Sequence, residues 1–443
     1  MKRIYLISLG CPKNQVDSEV ILGCLVRDGW VPTPTLEEAD VAIVNTCAFL
    51  QAAVQESLET ILEVVQEKEK GNVKQLVVTG CLPQRYGEEI VQELPEVDLW
   101  TGTGDFPEIP RWLKNGGPRS LIGNPTYLYD HTTPRLIANT PHSAYVKIAE
   151  GCSHPCTFCL IPRLRGGYRS RGMDSLVQEV RRLASAGVVE VNLVAQDTTY
   201  YGTDLGEQWG LWRLLERLHT IEGLRWIRIL YGYPLVKNFP PGFLEMIAGG
   251  EKICPYLDLP IQHINDRILG RMGRRNSGRE IRELVYRIKR DYPRIHLRTT
   301  LMVGFPGEGE DEFAELLDFV HDVEFSHLGV FPFSAEEGTR ALRMEHKPPA
   351  SVAEARAATI MELQQQISWR RNRAMVGSVI PVLVEGASDT MEAALYGRGA
   401  FQAPEVDGMI YIQGGKPHRG EIVLTRITQA GPYDLIGEIE AYG

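Results

Sequence analysis

One pattern occurs three times near the start of the chain: a short apolar run, a cysteine at its end, and a helical stretch after it. The runs RIYLISLGC, VAIVNTC and KQLVVTGC end at Cys11, Cys47 and Cys81, and the first is followed by a predicted helix over 17–30. Strands that alternate with helices predict a parallel α/β sheet over residues 1–125. Because the carboxyl ends of parallel strands share one edge of the sheet, we expect the three cysteines to lie close together.

A second set of three cysteines stands in the loop EGCSHPCTFC, at Cys152, Cys156 and Cys159. An odd number of closely spaced cysteines does not suit disulfide pairing, and a closed structural zinc site needs four ligands. His154 lies inside the loop, too close to Cys152 to bind the same metal without strain. Three thiolates with one open position suit an iron–sulfur cluster whose fourth iron binds something else.

The N-terminal cysteines have two interpretations. Free cysteine is often a small buried hydrophobic residue, and Cys24 in ILGCLV and Cys254 in ICPYL are interpreted in this way. Three cysteines at equivalent strand ends, each in or beside a turn, favour a second site with three thiolates instead.

The central region, residues 140–372, again alternates strands and helices. Its candidate strands are AYVKIAE, EVNLVAQD, WIRILYGYP, YLDLPIQ, HLRTTLMVGF and HLGVFPFS. Six such units, against eight in a full barrel, predict a partial (β/α)6 barrel that is open on one side. The cysteine loop follows the first strand, at the end where barrel enzymes place their chemistry. Residues 100–143, rich in Pro, Gly, Asn and Thr, predict an irregular segment that includes a linker at 126–139.

The last region, residues 373–443, contains five short strand-like runs and many turns, which predict a small OB-like β-barrel. Barrels of this kind often bind RNA. From residue 374 onward, however, there are four basic side chains against nine acidic ones. This balance disfavours a phosphate backbone as the partner and favours a basic protein surface.

Composition sets the cellular context. The 443 residues carry a net charge of −10, and no run of 18 apolar residues predicts a membrane span. The start MKRIYLISLGC resembles a lipoprotein signal, but its apolar core is shorter than the 7–15 residues that a signal needs. We therefore expect a cytoplasmic protein with reduced thiols, in which clustered cysteines indicate metal binding or catalysis.

The spacing C-x3-C-x2-C, with Phe158 before the last cysteine, resembles the radical S-adenosylmethionine superfamily. Together with GCPKNQVDSE, NTCAF, TGC and the terminal barrel, the whole chain resembles the methylthiotransferases, whose terminal barrel is called the TRAM domain. Six stretches are similar to the branch that acts on small-subunit ribosomal protein twelve: KIAEGCSHPCTFCLIP, VAQDTTYYG, DLPIQHINDRIL, RTTLMVGFPGE, FPFSAEEGT and QAPEVDGMIYI. The acidic last region points to the same branch, because the transfer-RNA branch should require a basic one.

The resemblance implies that Cys152, Cys156 and Cys159 are catalytic and hold a 4Fe–4S cluster whose open iron chelates S-adenosylmethionine. Reduction then generates a deoxyadenosyl radical, a chemistry that belongs to the cofactor. The N-terminal cysteines would hold a second 4Fe–4S cluster that presents the sulfur. The substrate implied is an aspartate of the basic ribosomal protein, which gains a methylthio group at its β-carbon. An external electron donor and a sulfur donor are implied as partners, with no membrane and no direct nucleic-acid substrate.

Further cofactor contacts are expected after the barrel strands. The candidates are Phe158, Gln196, Asp197, Gln262, and Gly304 and Gly307 in VGFPGE. Glycine turns at strand ends permit close approach of the backbone to a ligand. Phe158 suits the adenine face and the core equally well, and His263 is expected to be a hydrogen-bonded structural histidine.

Three alternatives stay open at this point. The transfer-RNA methylthiotransferases share the mechanism and differ in substrate, and fold-level likeness does not fix the partner. A non-catalytic iron–sulfur protein that binds the ribosome or carries electrons would not cleave S-adenosylmethionine, but closed electron-transfer clusters use four cysteines. A structural zinc protein is the third alternative.

Overall fold

The computed structural model describes residues 2–137, 140–388 and 395–442. Its first layer is a sheet of six parallel strands in the order β2-β1-β3-β4-β5-β6. The strands are β1 Arg3–Ser8, β2 Val31–Pro32, β3 Val41–Thr46, β4 Gln75–Gly80, β5 Leu99–Thr101 and β6 Ser120–Leu121. The helices are α1 Pro12–Arg27, α2 Gln51–Glu69, α3 Cys81–Tyr86, α4 Glu88–Glu93 and α5 Ile109–Asn115. The predicted parallel sheet is confirmed.

Two local predictions for this region were wrong. Helix α1 begins at Pro12 instead of residue 17, because proline suits the first turn of a helix and places Cys11 at the N-cap. Residues 100–143 are not irregular throughout, since β5, α5 and β6 lie partly or wholly within them. Strands this short show no periodicity, and they are held by backbone bonds such as Trp100 N to Arg119 O at 2.8 Å. Residues 138–139 of the predicted linker lie outside the described residues.

The middle of the chain forms an arc of six parallel strands in chain order. They are β7 Ser143–Lys147, β10 Glu190–Val194, β11 Trp226–Ile229, β12 Tyr256–Asp258, β13 His296–Val303 and β14 His327–Pro332. One isolated bridge, from Ile227 to Ile253, continues the arc between its two three-stranded halves. A small antiparallel pair, β8 Ala149–Glu150 and β9 Arg169–Ser170, flanks the cysteine loop. The predicted (β/α)6 arc is confirmed.

Helices cover the outer face of the arc. They are α7 Met173–Ser185, α8 Gly210–His219, α9 Phe243–Gly249, α10 Asp266–Arg271, α11 Gly278–Asp291, α12 Glu310–Val323 and α13 Ala350–Ala374. Helix α6 Ile161–Arg165 instead follows the cysteine loop and packs Leu164 against the first domain. Helix α11 shows why they form: a capping box joins Ser277 and Glu280, and the apolar residues Ile281, Leu284, Val285 and Ile288 follow at helical spacing. These four side chains are buried in the largest core cluster, between helices and strands.

The inner face of the arc is covered by the two other parts of the chain. Apolar side chains of α1, including Val16 and Val20, share one core cluster with Tyr145 and Trp226 of the arc. Leu383 and Ile422 of the C-terminal barrel belong to the same cluster. The arc is therefore packed between the first sheet domain and the barrel.

The last part is a closed five-stranded barrel in the order β15-β16-β17-β19-β18, as predicted. Its strands are β15 Val379–Ala387, β16 Leu395–Gly399, β17 Ile410–Gln413, β18 Ile422–Ala430 and β19 Leu435–Tyr442. Arg398 of the barrel reaches Glu190 at 2.6 Å, and Arg228 pairs with the same carboxylate at 3.0 Å. Both arginines lie at most 3% exposed, so charged side chains fix the barrel to the amino-terminal ends of the arc strands.

Across the described residues, none of the helices has both the length and the apolar character needed to cross a membrane.

Candidate active site

Cys11, Cys47 and Cys81 converge at the carboxyl edge of the first sheet. They follow β1, β3 and β4, which are direct neighbours in the sheet order. The close approach depends on Gly10, whose φ of +89° lies in the left-handed region. A Cβ at Gly10 would stand 2.7 Å from Cys47 Cβ, so only glycine lets the two strand ends come this close. The predicted convergence is therefore present.

Hydrogen bonds from polar side chains to the backbone hold this edge of the sheet together. Asn14, on the first turn of α1, donates from Nδ2 to Thr46 O at 2.8 Å and to Leu9 O at 3.0 Å. Ser57 on α2 accepts from Cys47 N at 3.1 Å and donates to Cys47 O at 2.8 Å. These bonds fix the backbone on both sides of the thiols, so the cysteine positions do not depend on flexible loops.

The three thiols differ in their electrostatic setting. Burial raises the pKa of Cys81 to about 12, and burial also raises the pKa of Cys47 above its ordinary value. At Cys11, burial is outweighed by Lys13, Arg165 and backbone N–H groups, so its pKa is lowered. Thiolates are the form that binds metal, and neighbouring cations and a helix N-terminus favour them. Cys11 is thus the thiol best prepared to ionise in this set.

The second set lies in a loop closed by β8 and β9. Gly151 precedes Cys152 with φ +78°, and a Cβ there would stand 2.2 Å from Gly167 O. Cys152 N donates to Gly166 O at 3.1 Å, and Thr157 N donates to Met272 O at 2.9 Å. The loop is therefore closed on the residue that follows α6 and anchored at Thr157 to the residue that follows α10.

Cys152, Cys156 and Cys159 line one cavity of about 330 Å³. Burial raises the pKa of Cys152 to about 11 and of Cys159 to about 12. The backbone N–H groups of His154 and Ile161 point at Cys152 Sγ and Cys159 Sγ, each at 3.5 Å. Backbone N–H groups that donate to the sulfur ligands are one of the means by which proteins set the reduction potential of an iron–sulfur cluster.

His154 turns away from the thiols. Its Nε2 lies 2.7 Å from Asp197 Oδ2, and its ring stacks on Tyr233 with centroids 4.0 Å apart. That it does not join the metal stays a prediction, which these contacts of the ring favour. Its ring instead fixes the cysteine loop to the end of β10.

One buried ion network connects the two cysteine sets. Arg165, at the end of α6, donates to Asp17 at 2.6 Å, to Glu150 at 3.2 Å and to Asn14. Its Nη2 also lies 3.8 Å from Cys81 Sγ. Lys147 completes the network with contacts of 2.5 Å to both carboxylates. The helix that follows the second cysteine set thus contacts the first set.

The predicted cofactor contacts after β10 are close to this network. Gln196 donates to Glu150 at 2.9 Å, while its Oε1 is enclosed without a partner. Asp197 is fully buried, and its two oxygens are taken by His154 and by Thr199 Oγ1 at 2.6 Å. Asp197 therefore positions the cysteine loop, and a direct cofactor contact of either residue stays a prediction.

The other predicted contacts are dispersed around the strand ends. Phe158 packs edge-on against Phe305 with centroids 6.3 Å apart. Gln262 has φ +70° and bonds through its backbone to Thr300 O and Met302 N. Gly304 and Gly307 are required for contact with the chain itself: a Cβ there would stand 2.3 Å from Ala353 Cβ and 2.8 Å from Arg271 Nε. Their contact with a cofactor stays a prediction.

The donor chemistry fits two clusters with one open iron each. All eight cysteines are free, and Cys24 and Cys254 lie outside both sets. Each set offers three sulfur donors at the rim of a buried polar network. Within the described part of the chain, no three His, Cys, Asp or Glu side chains are spaced to hold a single metal ion.

Sequence reasoning missed the residues that connect the sets: Lys147, Glu150, Arg165, Asp17 and Asn14. One signal was present, since Lys147 and Glu150 interrupt the apolar strand AYVKIAE. Charged side chains at strand positions are almost never buried unless they are paired.

Three family models match the chain. They are the uncharacterized protein family UPF0004 over residues 3–102, the radical SAM superfamily over 146–320 and the TRAM domain over 376–439. Among solved structures, the radical S-adenosylmethionine methyltransferase TsrM from Kitasatospora setae has a TM-score of 0.55 at 15% identity, covering 74% of this chain and 73% of that one. At this identity the likeness shows a shared fold.

Curated relatives match over almost the full length. A protein of Syntrophotalea carbinolica named ribosomal protein uS12 methylthiotransferase RimO is 49% identical over 99% of this chain and 97% of its own. A protein of the same name from Geobacter sulfurreducens is 47% identical over 99% of this chain and 98% of its own. The three matching domains and the two sets of three thiols agree with this full-length identity. The chain therefore belongs to the radical SAM family of ribosomal protein uS12 methylthiotransferases.

Proposed function

We propose that this enzyme inserts a methylthio group at the β-carbon of an aspartate in ribosomal protein uS12. The observation that carries the proposal is the contact between Arg165, which follows the second cysteine set, and Cys81 of the first set. Each set of three cysteines would leave one iron of its cluster open, and one buried network joins the two sets. This arrangement suits a reaction that brings a radical and a sulfur atom to the same place. The names of the full-length relatives support the same substrate.

Residues 140–372 are assigned to radical formation. Cys152, Cys156 and Cys159 would hold a 4Fe–4S cluster, which when bound supplies the reductive cleavage of S-adenosylmethionine to a deoxyadenosyl radical. The chain positions the three thiols through the β8–β9 pair and through the contact between His154 and Asp197. The free Oε1 of Gln196 is a hydrogen-bond acceptor close to the same loop.

Residues 1–125 are assigned to sulfur presentation. Cys11, Cys47 and Cys81 would hold a second 4Fe–4S cluster, with the substrate sulfur at its open position. Asn14 and Ser57 hold the backbone around these thiols, and Arg165 offers them a positive charge. An external electron donor and a sulfur donor complete the reaction, and a cytoplasmic location is part of the proposal.

Residues 373–443 are assigned to contact with the basic substrate protein. Of the basic side chains in this part, Arg398 is buried against Glu190 and Glu385, and Arg426 pairs with Glu440. Each of these pairs cancels one positive charge against one negative charge, so the acidic excess of this part is retained. Such a surface attracts a basic protein and repels nucleic acid.

Mass spectrometry with two substrates in parallel tests the function. Anaerobically reconstituted protein is incubated with S-adenosylmethionine, a reductant and sulfide, together with either intact uS12 or unmodified transfer RNA. A methylthio mass gain on the aspartate of uS12, lost in Cys11→Ala, is the expected result. A gain on RNA alone would overturn the substrate, and no gain on either with deoxyadenosine still released would overturn the proposed reaction.

A further inference from the structure

Lys13 is a largely buried side chain whose ammonium has no ion-pair partner among the described residues. It is the second residue of α1, lies 9% exposed and stands two positions after Cys11. Among the described residues, no oxygen lies within hydrogen-bond or ion-pair distance of Lys13 Nζ, and the atom is not among the polar atoms enclosed without a partner. Its nearest group is the ring of Tyr231, whose centroid is 3.5 Å from Nζ. The ammonium therefore faces accessible space.

The charges around Lys13 are already engaged with other groups. Lys147 and Arg165 share the carboxylates of Asp17 and Glu150 at distances from 2.5 to 3.2 Å. On the other side, Asp258 accepts from Tyr231 N at 2.9 Å and lies 3.9 Å from Arg298. The two carboxylates of this network are already balanced by its two cations, so Lys13 is an additional positive charge. A buried charge is costly unless a partner compensates it.

Tyr231 is held in an unusual conformation beneath this ammonium. Its φ of +60° is rare for an aromatic residue. Tyr231 N donates to the Asp258 carboxylate, and Tyr231 O accepts from Thr198 N. It follows β11 at the carboxyl end of the strand, where barrel enzymes bind substrates. One face of the ammonium is occupied by the ring, and its other N–H donors are free for a ligand.

We infer that Lys13 binds the carboxylate of the substrate side chain, which under the proposed function is the aspartate of uS12. In aspartate the carboxyl carbon is bonded directly to the β-carbon. Binding the carboxylate at Lys13 therefore places the reacting carbon beside the set that contains Cys11. The same contact selects aspartate over asparagine, and a neutral nucleobase has no carboxylate for the ammonium to pair with. Lys13 is thus a positioning and specificity residue of the sulfur-presenting site.

A competing role for Lys13 is charge balance for the Cys11 thiolate, which acts on it electrostatically. The two roles differ in one respect. A charge-balancing lysine affects all substrates alike, whereas a carboxylate receptor distinguishes aspartate from asparagine. The test therefore compares two forms of the substrate.

The experiment measures binding of fluorescently labelled uS12 to the reconstituted protein with S-adenosylmethionine and without reductant. uS12 is used as it is and with the target aspartate replaced by asparagine. The wild-type protein is expected to bind the aspartate form about 10-fold or more tightly, the effect of a hydrogen bond to a charged group. Lys13→Met, which keeps an unbranched apolar side chain, is expected to bind both forms equally, and Lys13→Arg to keep the preference.

Lys2→Met is the matched control, because Lys2 also lies over an aromatic ring, Trp30 at 5.0 Å, but is exposed. It is expected to behave as the wild type. Equal weakening of both forms in Lys13→Met would overturn the inference and leave charge balance. If Lys13→Met loses iron, the wild type alone decides, since equal binding of both forms overturns the inference. A wild-type protein without methylthio product on uS12 would instead overturn the proposed function.

Discussion

Arg165 Nη2 lies 3.8 Å from Cys81 Sγ, although 84 residues separate them in the chain. The same guanidinium bonds to Asp17 of the first domain and to Glu150, which directly precedes the Gly151–Cys152 turn. One side chain therefore contacts one cysteine set and the strand that leads into the other.

Replacement of Arg165 by methionine should destabilise the protein strongly. It would leave Asp17 and Glu150 with Lys147 as the remaining cation in a buried site, and loss of one partner of a buried ion pair costs about 3–5 kcal/mol. Urea unfolding of the metal-free protein measures this loss. Arg181→Met on α7 is the control, because Arg181 is exposed and surface substitutions change stability by about 0.5 kcal/mol or less. Equal unfolding midpoints for the two variants would contradict the role of the network.

The two cysteine sets should fail differently. Cys159→Ala is expected to abolish release of deoxyadenosine from S-adenosylmethionine, because the radical-forming site loses one of three donors. Cys47→Ala is expected to leave this release partly intact and to stop formation of the methylthio product. Chromatography of deoxyadenosine and mass spectrometry of uS12 measure the two steps separately. Equal loss of deoxyadenosine in both variants would show that the proposed division of work is wrong.

His154→Ala should weaken retention of iron at the second set. His154 fixes the cysteine loop through its 2.7 Å contact with Asp197, and loss of such supporting partners typically costs about 10–100-fold in metal affinity. Iron per chain after gel filtration in the presence of a chelator measures the effect. His219→Ala is the control, because His219 forms the same kind of pair with Glu251, at 3.2 Å on the surface. Unchanged iron in His154→Ala would refute the positioning role.

Acid should weaken the attachment of the barrel to the arc. Burial alone would raise the pKa of Glu190, but Arg398 and Arg228 outweigh burial and hold it well below its usual 4.5. A carboxyl with a lowered pKa stabilises the folded state above pH 4.5, and this contribution is lost as the pH falls below that value. The difference in unfolding free energy between the wild type and Glu190→Gln should therefore shrink below pH 4.5. A difference that is constant down to pH 3 would contradict this assignment.

The sequence was sufficient to predict that Cys11, Cys47 and Cys81 converge, since the carboxyl ends of parallel strands share one edge of the sheet. It was insufficient for the pairing of Arg165 with Asp17, 148 residues apart, because such a contact depends on how two domains pack. The strands β2, β5 and β6 escaped prediction for a simpler reason. Two or three residues are too few for an alternating pattern, and their neighbours in the sheet determine their conformation.

Gly304 and Gly307 are needed for a reason that the sequence did not indicate. The glycine turn after β13 was interpreted as space for a ligand. The structure shows that Ala353 of α13 and Arg271 of α10 occupy the space that a side chain would need. A single sequence cannot distinguish these cases, because a glycine permits close approach by any group.

The contact between Arg398 and Glu190 joins residues 208 positions apart and has a consequence for biosynthesis. At about 5–20 residues per second, the ribosome needs roughly 10–40 s to extend the chain from one to the other. During this interval Glu190 and Arg228 must stay hydrated, and the inner face of the arc is not yet covered by the barrel. Nascent chains of this protein are therefore most vulnerable to aggregation and proteolysis late in translation, after the arc has formed and before the barrel has emerged.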